Sequence, residues 1–170
     1  MGMIDAFIQE IDQEAKTTRI VLERVPSDRL SWKPHPKSMS LGELAQHVAI
    51  SPGQTATWAV GAGFDFAGGE QPPALTSTAE ILAAHDESVA KAKDAARQIG
   101  DDGLMSDWEA KMNGATLFKM PKVAYYRSIV LNHWYHHRGQ LSVYLRLLDV
   151  PVPSIYGPSA DENPWAKPVS

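Results

Sequence analysis

Cysteine is absent from the 170 residues of this chain. Its absence excludes disulfides, thiolate metal sites, iron–sulfur clusters and a cysteine nucleophile. Any metal ion must therefore be held by nitrogen and oxygen ligands. The length is typical of one folding unit, so we predict a single domain over residues 1–170.

Long apolar runs, an excess of basic residues and nucleotide-binding motifs are also missing. No run approaches the roughly 18 residues of a membrane span, and the first residues have neither the basic nor the apolar region of a secretory signal. With 16 Lys and Arg against 20 Asp and Glu, the formal net charge is −4, and no basic stripe suggests a nucleic-acid partner. Glycine-rich phosphate loops and the serine-hydrolase motif do not occur. We expect a cytoplasmic protein that binds neither nucleic acid nor membrane.

Apolar residues recur at intervals of three and four in four segments, which predicts four helices. Ser40 and Glu43 form a capping box at the start of the second helix. Pro52 predicts a kink inside that helix, and Gly100 stops the third. The helices are predicted over residues 3–24, from 41 to about 61, over 78–99 and over 121–148.

The connections complete the predicted architecture. Asn113 and Gly114 form a two-residue turn signal, which predicts a small hairpin over residues 104–118. Residues 63–76 are predicted to be a loop, and the chain from residue 151 an irregular, proline-rich tail. The predicted fold class is all-α, a four-helix bundle with a small hairpin before the last helix and an irregular C-terminal tail.

Three of the six histidines lie within five residues of the last predicted helix: His133, His136 and His137. On a helix, His137 lies about 40° from His133 around the axis, so these two imidazoles share a face and can reach one ion. Position 134 is Trp, so the H-E-x-x-H pattern of zinc proteases is not formed. Two imidazoles bind a divalent ion weakly, and a third ligand is needed.

His47 is the best candidate for the third ligand. It shares a stripe with Leu44 and Val48 on the second predicted helix and should point into the bundle. His85 is the second choice. The alternative interpretation is that these histidines are buried side chains that hydrogen-bond carboxylates or carbonyls. Three neutral imidazoles would leave coordination positions open for water or substrate, and nitrogen ligation suits Zn²⁺ or Ni²⁺, and also Cu²⁺ or Fe²⁺.

Several strings in the chain resemble the DinB/YfiT-like superfamily of bacterial proteins, which is distinct from the translesion polymerase that shares the name. They occur in the family's order and cover nearly the whole chain. The strings are Trp32-Lys33-Pro34, the segment from Ser40 to His47, the segment from His133 to Gln140, and the tail from Val152 to Glu162.

The resemblance implies a four-helix bundle that holds one divalent metal ion, Zn or Ni foremost, on His47, His133 and His137. It also implies a homodimer, because dimers are common in such proteins. Characterised relatives include thiol-dependent S-transferases and a mycothiol-dependent isomerase. The resemblance therefore implies a low-molecular-weight thiol as cosubstrate.

Two functional hypotheses follow. The first is a metal-dependent enzyme, of S-transferase or hydrolase type, that activates a low-molecular-weight thiol or water toward a small-molecule substrate. The alternative is a non-catalytic, metal-stabilised module that acts in a stress response or binds small molecules. Six further residues are candidates for binding substrate or supporting the ligands, against the alternative of ordinary packing or, in the tail, a surface clamp: Gln54, Gln140, Tyr144, Tyr156, Asp161 and Glu162.

The neighbours of the histidine pair have structural interpretations. Trp134 and Tyr135 turn away from the face of His133, so they should pack against other helices or a dimer mate. Arg138 is predicted to form an ion pair across helices. Gly139 is predicted to permit close approach of a neighbouring helix.

Overall fold

Within residues 2–68 and 72–166, which the computed structural model describes, four helical regions pack around an aliphatic and aromatic core. No helix in these residues is both long and apolar enough to cross a membrane. The first three regions are α1 (Met3–Leu22), α2 (Leu41–Trp58) and α3 (Thr78–Leu104). The fourth contains α4 (Lys122–Tyr125) and α5 (His133–Leu147), which a further helical section joins. The strands are β1 (Gly63–Asp65), β2 (Asp107–Met112) and β3 (Ala115–Pro121).

The second helix begins where its sequence predicts. The Ser40 hydroxyl accepts the Glu43 backbone N–H at 3.1 Å, and the Glu43 carboxylate accepts the Ser40 N–H at 2.6 Å. This confirms the capping box, which pairs two backbone donors that a helix start leaves free. The helix contains Pro52 and ends at Trp58, short of the predicted end near Gly61.

Gly100 interrupts the third helix but does not end it. Its φ of 63° and ψ of 173° are non-helical values that a glycine adopts without strain. The helix then continues for one further turn and ends at Leu104. The predicted stop is therefore a break within α3.

The predicted hairpin is present as β2 and β3, which pair antiparallel. Asn113 and Gly114 at the turn both have positive φ, of 50° and 77°. Such values give a type I′ turn, whose twist matches that of the two strands. The turn signal in the sequence is thus confirmed.

The all-α prediction was incomplete, because part of the predicted loop over residues 63–76 forms a third strand. β1 pairs parallel with β2, with Gly63 opposite Glu109 and Phe64 opposite Ala110. A Cβ atom at position 63 would lie 2.4 Å from the Glu109 carbonyl oxygen, so glycine permits this close pairing. Residues 69–71 of the predicted loop lie outside the described residues.

The last helix is predicted as one element over residues 121–148, and the structure changes its form in the middle. Between α4 and α5, residues Tyr126–Asn132 are π-helical, and the His133 N–H donates to the carbonyl of Ser128, five residues earlier. Such widened turns occur frequently at functional sites. Here the π-helical section ends directly before the histidine pair.

Residues 151–166 have the irregular form that the sequence predicts, and residues 167–170 of the predicted tail lie outside the described residues. The Asp161 carboxylate accepts the Val152 N–H at 2.8 Å and pairs with Arg146. Glu162 accepts the Ser154 N–H at 3.1 Å and pairs with Arg24 at 2.5 Å. These contacts join the tail to α5 and to the chain just after α1.

Candidate metal centre

Three imidazole rings converge between α2 and α5. The Nε2 atom of His133 lies 3.4 Å from Nε2 of His47 and 3.0 Å from Nε2 of His137. One ligand atom from each ring lies within 4.8 Å of the other two. The structure therefore brings together the i, i+4 pair and the third histidine that the sequence singled out.

These distances suit three ligands of a single ion. For Zn–N bonds of about 2.0–2.1 Å, neighbouring nitrogens of a tetrahedral site are about 3.3 Å apart. As a hydrogen-bonded group the arrangement is poor, because Nε2 of His133 offers one hydrogen or one lone pair to two nitrogen neighbours. One divalent ion can accept lone pairs from all three rings. The donor set thus fits the ion that the sequence resemblance implies.

The three rings are in the protonation state that a metal ligand requires. Burial, followed by the charges that the neighbouring histidines would carry, lowers the pKa of His47 and of His133 from 6.5 to about 4. Burial also lowers the pKa of His137, against the opposing effect of the hydrogen bond that its ring donates to Gln140. At neutral pH the rings are therefore uncharged, with lone pairs available for coordination.

Gln140 fixes the orientation of His137. Its Oε1 lies 2.7 Å from Nδ1 of His137, so Nδ1 carries the hydrogen and Nε2 presents its lone pair to the cluster. The buried Nδ1 of His133 has no such partner among the described residues. Gln140 is thus the candidate supporting residue with direct contact to a ligand.

Pro52 and Trp134 join the two helices that carry the ligands. Because proline has no N–H, Pro52 leaves the carbonyl of Val48, four residues earlier, without its usual helical partner. The Trp134 indole N–H donates to this carbonyl at 3.0 Å. Val48 follows His47 and Trp134 follows His133 in the sequence, so this hydrogen bond joins α2 and α5 beside the two imidazoles.

A buried ion pair joins α5 to α1. The Arg138 guanidinium lies 2.7 Å from the Glu14 carboxylate, with side-chain exposures of 1% and 6%. Arg138 also donates to the Thr18 hydroxyl at 3.1 Å and to the Tyr156 hydroxyl. The predicted ion pair across helices is confirmed. Gly139 is different, since no described atom outside its own stretch of helix backbone lies within 4 Å of a Cβ built there, so no close helix approach among the described residues depends on it.

The other two candidate side chains on the helices, Gln54 and Tyr144, have different surroundings. Gln54 lines a cleft beside His47 and forms no side-chain hydrogen bond with a described residue. The Tyr144 hydroxyl donates to the Met39 carbonyl at 3.2 Å, and its ring meets Trp32 edge-on. Gln54 is therefore available to a ligand, whereas Tyr144 holds the loop before α2.

The tail residues act as a clamp in this structure. The Tyr156 hydroxyl donates to Glu14 at 2.8 Å, and Asp161 and Glu162 pair with arginines as described above. Among the described residues, none of the three contacts the imidazole cluster. Their possible part in the site remains a prediction.

The remaining histidines lie outside the cluster. His85, the second choice for the third ligand, is buried with its Nε2 3.1 Å from the Ala15 carbonyl oxygen. His35 accepts the Lys37 N–H in the loop before α2. His136 is exposed, and its ring meets His137 edge-on at a centroid distance of 4.9 Å. Each therefore has a structural or solvent-facing position.

A cleft of about 850 Å³ opens along α2 beside His47. One part of its wall is aromatic: Trp58 stacks on Phe64 at a centroid distance of 4.3 Å, and Phe66 meets Trp58 edge-on at 5.5 Å. Sequence reasoning missed this cluster, because both phenylalanines fell in the predicted loop. Phe64 lies in β1 and Phe66 directly after it, in a short 3-10 turn, so no local spacing in the sequence could have indicated this cluster.

One family model matches most of the chain. A family model described as the DinB superfamily matches residues 10–141. The chain is 25% identical over 170 residues to the uncharacterised protein YrdA of Bacillus subtilis (strain 168), covering 96% of this chain and 93% of YrdA.

Two solved structures share the fold. A DinB-like protein from Bacillus cereus ATCC 10987 superposes with a TM-score of 0.69 at 24% identity, covering 89% of this chain and 97% of that one. The DinB-like protein YjoA from Bacillus subtilis gives a TM-score of 0.67 at 19% identity, covering 88% and 96%. At these identities the likeness concerns the fold alone.

Proposed function

The chain belongs to the DinB superfamily, and from this premise we propose that it is a metal-dependent enzyme whose single divalent ion is held by His47, His133 and His137. One observation carries the proposal, namely the convergence of three uncharged Nε2 atoms at distances that suit one ion. Nitrogen ligands favour Zn²⁺ or Ni²⁺. When bound, such an ion supplies Lewis acidity that lowers the pKa of a thiol or water that reaches it.

The protein's own residues orient the candidate metal ligands and bind the reacting molecules. Gln140 keeps the lone pair of His137 directed at the cluster. The cleft beside His47 has the volume of a small-molecule site, and the free amide of Gln54 lies two helical turns beyond His47 in its wall. We propose that a low-molecular-weight thiol or water and a small electrophile meet in this cleft, in an S-transferase or hydrolase reaction.

Elemental analysis of the purified protein tests the metal site. We expect about one equivalent of zinc or nickel per chain in the unaltered protein and a large loss in His137→Ala. His136→Ala is the matched control, since His136 is exposed and outside the cluster, and it should keep the full metal content. Equal metal content in both variants would contradict the site.

Activity requires a separate test. Thiol consumption is followed with glutathione, bacillithiol and mycothiol donors against a panel of small electrophiles, and hydrolysis is followed without thiol. We expect turnover that needs metal and is lost in His137→Ala. Full metal loading, a raised Tm and no turnover with any donor or with water would instead support the non-catalytic, metal-stabilised module.

The predicted homodimer and cytoplasmic location belong to the same proposal. Light scattering of the purified chain measures the first, and fractionation of the source cells measures the second. A monomer at micromolar concentration would contradict the predicted dimer.

A further inference from the structure

We propose that the cleft along α2 binds an elongated amphiphilic anion, with its anionic group at Lys33 and Lys37 and its apolar end against Trp58 and Phe66. This inference names the substrate class of the proposed enzyme and rests on that proposed function. The two can fail separately, because the cleft contains His47 but extends well beyond it.

The cleft is long because it follows one face of α2. Residues at steps of three and four line it from the start of the helix to its end, which places them on one stripe. At about 1.5 Å per residue, this stripe is about 22 Å long, and His47 lies about 6 Å from its N-terminal end. The helical residues that line the cleft are Glu43, Gln46, His47, Ile50, Gln54 and Trp58.

The N-terminal end of the cleft is cationic. Lys33 lies 3.3 Å from the Glu43 carboxylate, whose same oxygen accepts the Ser40 N–H of the capping box. Lys37 is exposed and forms no ion pair with a described residue. Among the described residues that line the cleft, these two lysines carry the positive charges, and Glu43 carries the one carboxylate. This end is therefore positive in a chain of net charge −4, which favours an anionic ligand group.

The other end is aromatic and accessible. The Trp58 and Phe64 rings lie 19° from parallel, and Phe66 stands at 85° to Trp58. Phe66 is 38% exposed, so a ring face is available to a ligand. Ile50 and Pro72 add apolar surface to the same cleft. A ligand with an apolar or aryl end removes this surface from water.

His47 lies between the two ends, closer to the cationic one. A ligand that spans the cleft therefore places its anionic group within about two helical turns of the proposed ion, and its apolar part on the far side. This arrangement predicts a substrate whose reactive atom is near its anionic group. Short acids that cannot reach Trp58 should bind more weakly.

Calorimetric titration with three probes tests the proposal on zinc-loaded and metal-stripped protein. The probes are 8-phenyloctanoate, the neutral 8-phenyloctan-1-ol and the short phenylacetate, each below its aggregation concentration. We expect the long acid to bind at least about five-fold more tightly than the alcohol, as a lysine pair at a partly exposed site would give. Phenylacetate should bind more weakly still, since it buries less apolar surface.

Two variants separate the contributions of the ends. Phe66→Ala should weaken both long probes by about five-fold, the size of one aromatic contact. The double variant Lys33→Gln/Lys37→Gln should weaken the acid and leave the alcohol unchanged. Phe118→Ala, on β3 and 42% exposed, and Lys16→Gln, exposed on α1, are the matched controls and should change neither affinity.

The possible results distinguish the two proposals. Equal binding of the acid and the alcohol, or equal effects of Phe66→Ala and Phe118→Ala, would overturn the amphiphilic anion. Zinc binding without binding of the long acid would overturn this inference and leave the metal site in place. Binding of the long acid to a protein that takes up no zinc would support the cleft and reject the metal enzyme.

Discussion

The indole N–H of Trp134 donates to the carbonyl of Val48 at 3.0 Å, the acceptor that Pro52 leaves free in α2. Trp134 follows His133, and Val48 follows His47, two of the three candidate ligands. A proline inside one helix is thus compensated by a side chain of another, at the level where both helices supply an imidazole.

Replacement of Trp134 by Phe tests this relationship. The variant keeps an aromatic ring but leaves the buried Val48 carbonyl unpaired, which should lower the free energy of unfolding by about 1–3 kcal/mol. Adding Pro52→Ala restores a backbone N–H that can donate to Val48, so the double variant should recover part of the loss. Urea unfolding of the four proteins measures the coupling. Strict additivity would contradict the proposed compensation.

The buried pair of Glu14 and Arg138 predicts a strong asymmetry between single and double variants. Glu14→Gln leaves a buried guanidinium without its counter-ion, which should cost roughly 3–5 kcal/mol of the free energy of unfolding. Replacement of both partners, as Glu14→Leu/Arg138→Met, should cost clearly less, since no buried charge is left unpaired. Chemical denaturation checks this order. A double variant as unstable as the sum of the singles would show that the charges contribute net stability.

Gln140 should influence metal affinity without being a ligand. Gln140→Leu removes the acceptor from Nδ1 of His137, and loss of such a partner typically costs about 10–100-fold in affinity. Gln140→Glu keeps an oxygen acceptor and should retain or increase the affinity. Competition with a zinc chelator measures both. Unchanged affinity in Gln140→Leu would show that the hydrogen bond does not orient the ring.

The metal-stripped protein should lose stability as the pH falls from about 6.5 to about 4. The pKa of His47 and of His133 is lowered to about 4 in the folded chain from an ordinary value of 6.5. Between these values the unfolded chain takes up protons that the folded chain does not, so the free energy of unfolding decreases with falling pH. The Tm of metal-stripped protein across this range measures the effect. His47→Gln should show a shallower fall, and an identical profile would contradict the assignment.

Two glycines in different surroundings, Gly53 and Gly139, give a test of helix packing. A Cβ atom on Gly53 would lie 2.5 Å from the Ser88 carbonyl oxygen, where α2 meets α3, so Gly53→Ala should destabilise by about 1–3 kcal/mol. Gly139→Ala is the matched control. Outside its own stretch of helix backbone, no atom of the described residues lies within 4 Å of a Cβ there, and alanine should stabilise the helix by about 0.5–1 kcal/mol. Thermal unfolding of both variants should show opposite signs.

The sequence was sufficient where the signals are local. The spacing of His133 and His137, the stripe that carries His47, the capping box and the Asn113-Gly114 turn each depend on residues a few positions apart. Local spacing of this kind translates directly into helix faces and turn types. These features therefore located both the helices and the three histidines that converge.

The features that were missed depend on distant partners or on small departures from regular geometry. β1 has three residues and exists through pairing with β2, more than 40 positions later. The Val48 carbonyl receives Trp134 across 86 positions. The π-helical section has the same apolar spacing as an α-helix, so periodicity could not distinguish it. The aromatic end of the cleft was missed for the same reason, because Phe64 lies in β1 and Phe66 directly follows it.

The widened turn before His133 has a consequence for how the ligand pair is aimed. A widened turn holds one more residue than an α-helical turn, so the same seven residues, Tyr126–Asn132, wound as a regular α-helix would rotate everything downstream by about 100° around the axis relative to α4. Both imidazoles would then face away from α2. The local irregularity thus acts as an angular spacer: it absorbs one residue, and a variant that lacks one of these seven residues can form a regular helix with the histidine pair still facing α2.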